Sequence, residues 1–255
     1  MMENLLEIRG LCKHYPGFSL DDVSFEVARG RVMGLIGKNG AGKSTTLKCI
    51  LNMASPESGT VTMFGKDFYR QEQECKQRIG IVFGGVEFYP LKRLSAITAV
   101  TRNFYEHWDQ EQYSRYIYHF ALDEGKRFKE LSNGMKVKYL LALALSHHAE
   151  LLLLDEPTSG LDPVSRDELL HIFRQIVKRE KCAILFSTHI TSDLDRCADD
   201  ITYLKNGRIL KSAEKKAFLN SFEHLKTQKD TSPLTLEEIM LRTERSDWNA
   251  VDDAW

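Results

Sequence analysis

One stretch limits the choice of fold more than any other: Gly37-Lys38-Asn39-Gly40-Ala41-Gly42-Lys43-Ser44, followed by Thr45. A compact apolar run over residues 31–36 leads into it, and Leu47, Ile50 and Leu51 follow at helical spacing. Strand, glycine loop and helix in that order make a βα unit, which commits the chain to an α/β architecture built on a parallel sheet. Glycines let successive backbone N–H groups turn toward one anion, and the helix N-terminus adds positive potential. In such a loop Lys43 reaches the β- and γ-phosphates of a nucleotide and the Ser44 hydroxyl ligates Mg²⁺. With Gly near 7 % of residues, these letters would arise by chance in roughly one chain of this length in a hundred. The G-x-G-x-x-G spacing of a dinucleotide loop is not met over residues 34–45.

Two further apolar runs end in polar groups suited to the same chemistry. Leu151-Leu-Leu-Leu-Asp155-Glu156 reads as a buried strand that delivers two carboxylates to the carboxyl edge of a parallel sheet, where open α/β folds bind ligands. Asp155 would hold Mg²⁺ and Glu156 would orient or deprotonate the attacking water. Residues 183–186 form another such strand, ending in Ser187-Thr188-His189, with His189 as a candidate γ-phosphate contact. Taken alone, an acidic strand end or a single histidine is as readily structural; the glycine loop upstream decides the reading.

Around these segments, residues 5–33 and 59–83 alternate short apolar runs with turn signals and read as strands. Residues 90–150 are helical in period: Ile97, Val100 and Phe104 share a face, as do Tyr113, Tyr116, Ile117, Phe120 and Ala121. Asp109 with Gln112 resembles a capping box. A crossover helix is expected over residues 164–178, with Asp162 as its N-cap and Pro163 in its first turn. Residues 226–255 turn polar and read as a peripheral tail.

Composition narrows the function. With 35 basic against 36 acidic residues the chain has no overall electrostatic signature for nucleic acid. Five scattered cysteines lack any CxxC spacing, which speaks against a disulfide framework or a zinc site and fits a reducing cytosol. The N-terminus lacks the apolar core of a secretory signal, and no apolar run approaches the roughly 20 residues needed to cross a bilayer. Work at a membrane would therefore need a membrane-embedded partner.

Over residues 5–225 the chain resembles the nucleotide-binding subunits of ABC transporters. The resemblance rests on the glycine loop, on Leu131-Ser132-Asn133-Gly134-Met135 at the place of the family signature, on Leu154-Asp155-Glu156-Pro-Thr-Ser-Gly-Leu-Asp162, and on His189. It implies a P-loop NTPase (RecA-like) parallel-sheet core with an antiparallel N-terminal β subdomain over 1–88 and 150–225, and an inserted helical subdomain over 89–149. It also implies ATP and Mg²⁺ as ligands and a head-to-tail dimer, of like or unlike cassettes, in which the glycine loop of one subunit faces the signature of the other. Tyr15 would stack on adenine. Ser132 and Gly134, with Asn133 and Met135 beside them, would reach the γ-phosphate of the partner's ATP, and Asp162 would link the two sites. Hydrolysis would drive separate membrane-spanning subunits from the cytoplasmic face of the cell membrane. Phe64-Gly-Lys, Phe83-Gly and the aromatic stretch from Asn103 to Asp109 resemble bacterial ABC-2 type exporters of drugs or peptides. A degenerate regulatory cassette and a non-transport ABC ATPase share the same motifs and stay open at this stage.

The chain departs from the family pattern twice. Asn133 and Met135 replace a glycine and a glutamine of the usual signature, and Gly84 stands where a Mg²⁺- and water-contacting glutamine is usual, with Glu87 three residues on. The second change leads us to expect slow or partner-dependent hydrolysis. Phe88 and Tyr89 are candidates for the surface that receives the membrane subunit. The basic groups Lys126, Arg127, Lys129 and Lys205, Arg208, Lys211, Lys215, Lys216 read as solvated faces, His147 and His148 as surface residues, and Trp248 and Trp255 as part of the tail.

Overall fold

Alternation along the central strands decides how the layers stack. The structure, a computed structural model, describes residues 3–83, 89–227, 230 and 232–245. Strands β1 (Asn4–Tyr15) and β2 (Phe18–Ala28) form a hairpin, followed by β3 (Val32–Ile36) and helix α1 (Lys43–Ile50). Next come β4 (Ser58–Met63), β5 (Lys66–Asp67), α2 (Glu72–Lys76) and β6 (Ile79–Phe83). Helices α3 (Leu94–Thr101), α4 (Gln110–His119) and α5 (Asn133–Ser146) then intervene before β7 (Leu151–Asp155). The chain continues through α6 (Pro163–Glu180), β8 (Ala183–Thr188), α7 (Thr191–Cys197), β9 (Asp200–Lys205), β10 (Arg208–Glu214), α8 (Lys215–Ser221) and α9 (Leu236–Arg245).

These strands make a four-stranded antiparallel sheet, β2-β1-β4-β5, and a six-stranded sheet, β10-β9-β3-β8-β7-β6, whose five strands from β9 to β6 run parallel. Val32, Ile36, Leu152, Leu154, Ile184 and Phe186 point into a core shared with α5 and α6. Their neighbours Met33, Leu35, Leu151, Leu153, Ala183 and Leu185 point into a second core shared with α1 and the antiparallel sheet. Both faces of the parallel sheet are thus covered, which is why β3, β7 and β8 are apolar on both faces until their carboxyl ends, where Asp155, Ser187 and Thr188 appear. The register pairs Ile36 with Thr188 and Asp155 with Ser187, so Gly37, Glu156 and His189 all emerge at one carboxyl edge.

The intervening helices depart from the expected faces. Ile97 is buried, but Val100 in the last turn of α3 is exposed, and so is Phe104, which lies beyond the end of α3 at Thr101 in a 3₁₀ turn over residues 102–104. Tyr113, Ile117 and Phe120 are buried and Tyr116 is partly so, whereas Ala121 is exposed. Asp109 caps α4 by accepting from the Gln112 amide at 2.8 Å, but the Gln112 side chain turns to Tyr116 OH, so only half of the expected box forms. Inside this group the Thr98 hydroxyl meets Tyr113 OH at 2.7 Å and Tyr139 OH at 2.9 Å, and Tyr139 OH donates to Leu94 O at 3.0 Å. His147 is buried rather than superficial: its ring stacks on Tyr105 with centroids 3.6 Å apart and its Nδ1 lies 3.1 Å from Gln77 O.

The C-terminal segment also needs correcting. Residues 234–245 are not a peripheral tail, since Leu234, Leu236 and Ile239 are buried in the larger core. Thr235 and Glu238 form a reciprocal capping box at the start of α9, and Arg242 grips Asp230 through two hydrogen bonds of 2.6 and 2.7 Å. Lys205 and Lys215, read as solvated, are both engaged: Lys205 donates to Thr243 O at 2.9 Å and Lys215 to Asp195 O at 3.0 Å. Trp248 and Trp255 lie outside the described residues.

Two measurements test this packing. Ile239→Ala should lower the unfolding free energy by about 2–5 kcal/mol, as a core truncation does; a peripheral α9 would give a change within about 0.5 kcal/mol. Burial pushes the His147 imidazole down to about 4. The unfolded chain therefore takes up this proton first, and stability should fall as pH drops from about 6.5 toward 4. His147→Gln should lessen that fall when denaturant unfolding is compared at pH 7 and pH 5.

Candidate functional site

The glycine loop is shaped by how closely β9 passes beneath it. A Cβ on Gly37 would sit 2.3 Å from the carbonyl oxygen of Leu204, so only glycine lets the chain leave β3 there. Gly42 has φ 110° and a Cβ on it would meet Leu20 at 2.6 Å and Phe18 at 2.7 Å, which makes it the residue that turns the loop into α1. The loop closes on itself through Ala41 N donating to Lys38 O at 3.1 Å and is tied to the β9–β10 turn by Gly207 N donating to Ala41 O at 3.0 Å. Lys43 is buried; its ammonium donates to Gly37 O at 2.8 Å and Lys38 O at 3.3 Å. Ser44 and Thr45 are half-buried at the start of α1.

The acidic side comes from β7. Asp155 is its last residue, and one carboxylate oxygen accepts from the Ser187 hydroxyl at 2.5 Å. Glu156 adopts φ 49°, a left-handed conformation that a non-glycine residue holds only when its surroundings enforce it. The enforcement is visible: its amide donates to Ser187 O and to Ser187 Oγ, each at 3.1 Å. The Glu156 carboxylate lies 3.3 Å from the Lys43 ammonium through Oε1 and 2.8 Å from His189 Nδ1 through Oε2. The first residue of α1 and the residues just after β7 and β8 thus meet in one chain of contacts, Lys43, Glu156 and His189.

These groups line an open cleft of about 630 Å³ together with Asn39, Gly40, Gly42, Ser44, Thr45, Gly17, Phe18 and Ser159. Gly17, Phe18 and Ser159 lie outside the residues expected here; Phe18 carries a signal in that it follows the turn at Gly17, three residues beyond the aromatic Tyr15. Tyr15 itself does not line the cleft; it is 44 % exposed with the Lys13 ammonium 5.2 Å from its ring centroid. Gly37, Lys38, Ala41 and Asp155 support the lining rather than form it.

The remaining predicted residues gather elsewhere. Ser132 caps α5 by accepting from Met135 N at 3.2 Å, and Ser132 and Asn133 are exposed. Gly134 packs toward Ser165 and Leu161, and Asn133 approaches Gly160. Asp162 caps α6 through the Val164 and Ser165 amides, both at 3.0 Å, and the Ser165 hydroxyl holds its carboxyl below the usual range. Residues 132–135 and Asp162 therefore form one group on the same chain, apart from the lining of the cleft. Gly84, Glu87 and Phe88 lie outside the described residues. For a hard cation, the Ser44 hydroxyl and the Asp155 carboxylate are a fitting pair, since Mg²⁺ takes one or two protein oxygens and fills its shell with water and phosphate.

The sequence matches the ABC transporter family over residues 20–159. The bacitracin transport ATP-binding protein BcrA of Bacillus licheniformis is 29 % identical over 228 residues, 88 % of this chain and 72 % of that protein. The Nod factor export ATP-binding protein I of Rhizobium johnstonii is 35 % identical over 209 residues, 80 % of this chain and 67 % of that protein. A solved ATP binding subunit of an ABC transporter superposes with a TM-score of 0.79 at 28 % identity, covering 93 % of this chain and 98 % of that one.

The tight passage at Gly37 yields a direct test. Gly37→Ala forces the loop off the Leu204 carbonyl, an overpacking of about 1–3 kcal/mol. Nucleotide affinity measured by calorimetry should weaken about tenfold, while circular dichroism retains the native spectrum.

Proposed function

The chain belongs to the ABC transporter family as an ATP-binding ATPase subunit, and from that premise we propose that it powers separate membrane-spanning subunits that export drugs, peptides or similar amphipathic compounds. The observation that carries the site assignment is the contact chain Lys43, Glu156 and His189, formed by the start of α1 and the residues that follow β7 and β8. Residues 37–45 receive the phosphates, Tyr15, exposed beside the cleft rather than in its lining, would stack on adenine at its mouth, and Ser44 and Asp155 would hold Mg²⁺, which would screen the phosphate charge. Lys43 exchanges one anion for another: its ammonium leaves the Glu156 carboxylate for the β- and γ-phosphates. Glu156 is then free to orient and deprotonate the attacking water, with His189 keeping its other oxygen in place and contacting the γ-phosphate.

Exposed Ser132 and Asn133, with Gly134 and Met135, stand outside the cleft of their own chain, which supports a head-to-tail dimer in which they complete the partner's site. Asp162, packed into the same group, would carry the state of one site to the other. The cassette would sit at the inner face of the cell membrane. No helix among the described residues is long and apolar enough to cross a membrane, and in this proposal the spanning segments belong to the partner subunits. Export is supported by relatives whose names specify bacitracin transport and Nod factor export.

Glu156→Gln keeps the shape of the site but removes the base. Steady-state hydrolysis should fall by about 10²–10⁴-fold while MgATP still binds, and a dimer should accumulate on size-exclusion chromatography in MgATP. A variant that turns over at the wild-type rate would remove Glu156 from this role.

A further inference from the structure

Residues near the two ends of the described chain meet at the glycine loop. Lys38 is not part of the lining of the cleft, and its ammonium lies 3.2 Å from Oε2 of Glu244, in the last turn of α9. The other oxygen of Glu244 accepts from Tyr203 OH at 2.9 Å, and Tyr203 is fully buried in β9. Glu244 is only 14 % exposed, and the helix that carries it is anchored by Leu236 and Ile239 in the core and by Lys205 donating to Thr243 O. Ordinary surface ion pairs contribute little because two flexible side chains must be held in one geometry. Here one partner is already held.

The lysine is also well chosen. The Lys38 carbonyl accepts from both the Lys43 ammonium and the Ala41 amide, so its peptide is the point at which the loop closes on itself. We propose that Glu244 is a positioning residue for the phosphate-binding loop, acting through Lys38 to hold that loop in the conformation that receives the nucleotide phosphates. The C-terminal helix is then a strap across the back of β9. The carbonyl of Leu204 presses the loop from beneath at Gly37 while Glu244 holds it at the next residue. This inference rests on the reading of residues 37–45 as the MgATP site.

The test is a double-mutant cycle on the full chain, with MgATP affinity measured by calorimetry for wild type, Glu244→Gln, Lys38→Met and the double variant. Glu244→Gln is nearly isosteric and keeps a partner for Tyr203, so α9 should remain docked. Each single variant should weaken binding about threefold, the double variant should be no weaker than the single ones, and Lys38→Arg should restore the affinity lost in Lys38→Met. A Glu244→Gln chain that binds as wild type overturns the proposal. So do losses that multiply in the double variant, because they would mean that α9 acts by general stability and not through Lys38. A wild-type chain that binds no MgATP would instead remove the assignment of residues 37–45, and the proposal with it.

Discussion

The buried ammonium of Lys43 beside the carboxylate of Glu156 ties the site to the sheet. Lys43 is almost wholly buried and Glu156 is 22 % exposed at the open cleft, so each charge offsets part of the other's desolvation, along with hydrogen bonds from their surroundings. Lys43 obtains these from the carbonyls of its own loop, and Glu156 from His189 and from the Ser187 backbone and hydroxyl that hold its amide. The register that brings the ends of β3, β7 and β8 level places this pair, and the Ser187 backbone and hydroxyl hold the left-handed turn at Glu156.

Everything else in the core makes that edge rigid. Because both faces of the parallel sheet are covered, its strands cannot slide by one residue without driving apolar side chains into the wrong layer. The antiparallel sheet contributes Phe18 to the mouth of the cleft, and the inserted helices hold Ser132 to Met135 apart from it. In the proposed dimer, the cleft of one cassette would be completed by the residue 132–135 group of the other. ABC ATP-binding subunits work with membrane subunits, and a divided site lets binding of a small ligand become movement between large bodies.

What was legible beforehand depended on how local the signal is. A glycine loop, an apolar strand ending in two acids and an Asp-Pro helix start are each written within a dozen residues, and the structure has strands and helices where they were read. The faces of α3 and the burial of His147 were less legible because a helical period says nothing about where a helix stops or what packs beside it. His147 is buried only because Tyr105 and Gln77 close over it. The C-terminal helix did carry a local signal, Thr235-x-x-Glu238 ahead of Leu236, Ile239 and Met240, but the polar average of the segment concealed it.

The sequence by itself determined the order of the motifs along the chain: a glycine loop between a strand and a helix, two acids after an apolar strand, and a histidine after another. Such properties follow from side-chain type and short spacing, and no distant contact is needed to read them. The tertiary structure alone decided which of those residues share a cleft, that the signature group stands apart from it, that His147 is sealed, and that Glu244 reaches back to Lys38. Each of these depends on elements far apart in sequence being pressed together by the burial of apolar faces, and no local pattern specifies the partner across that gap.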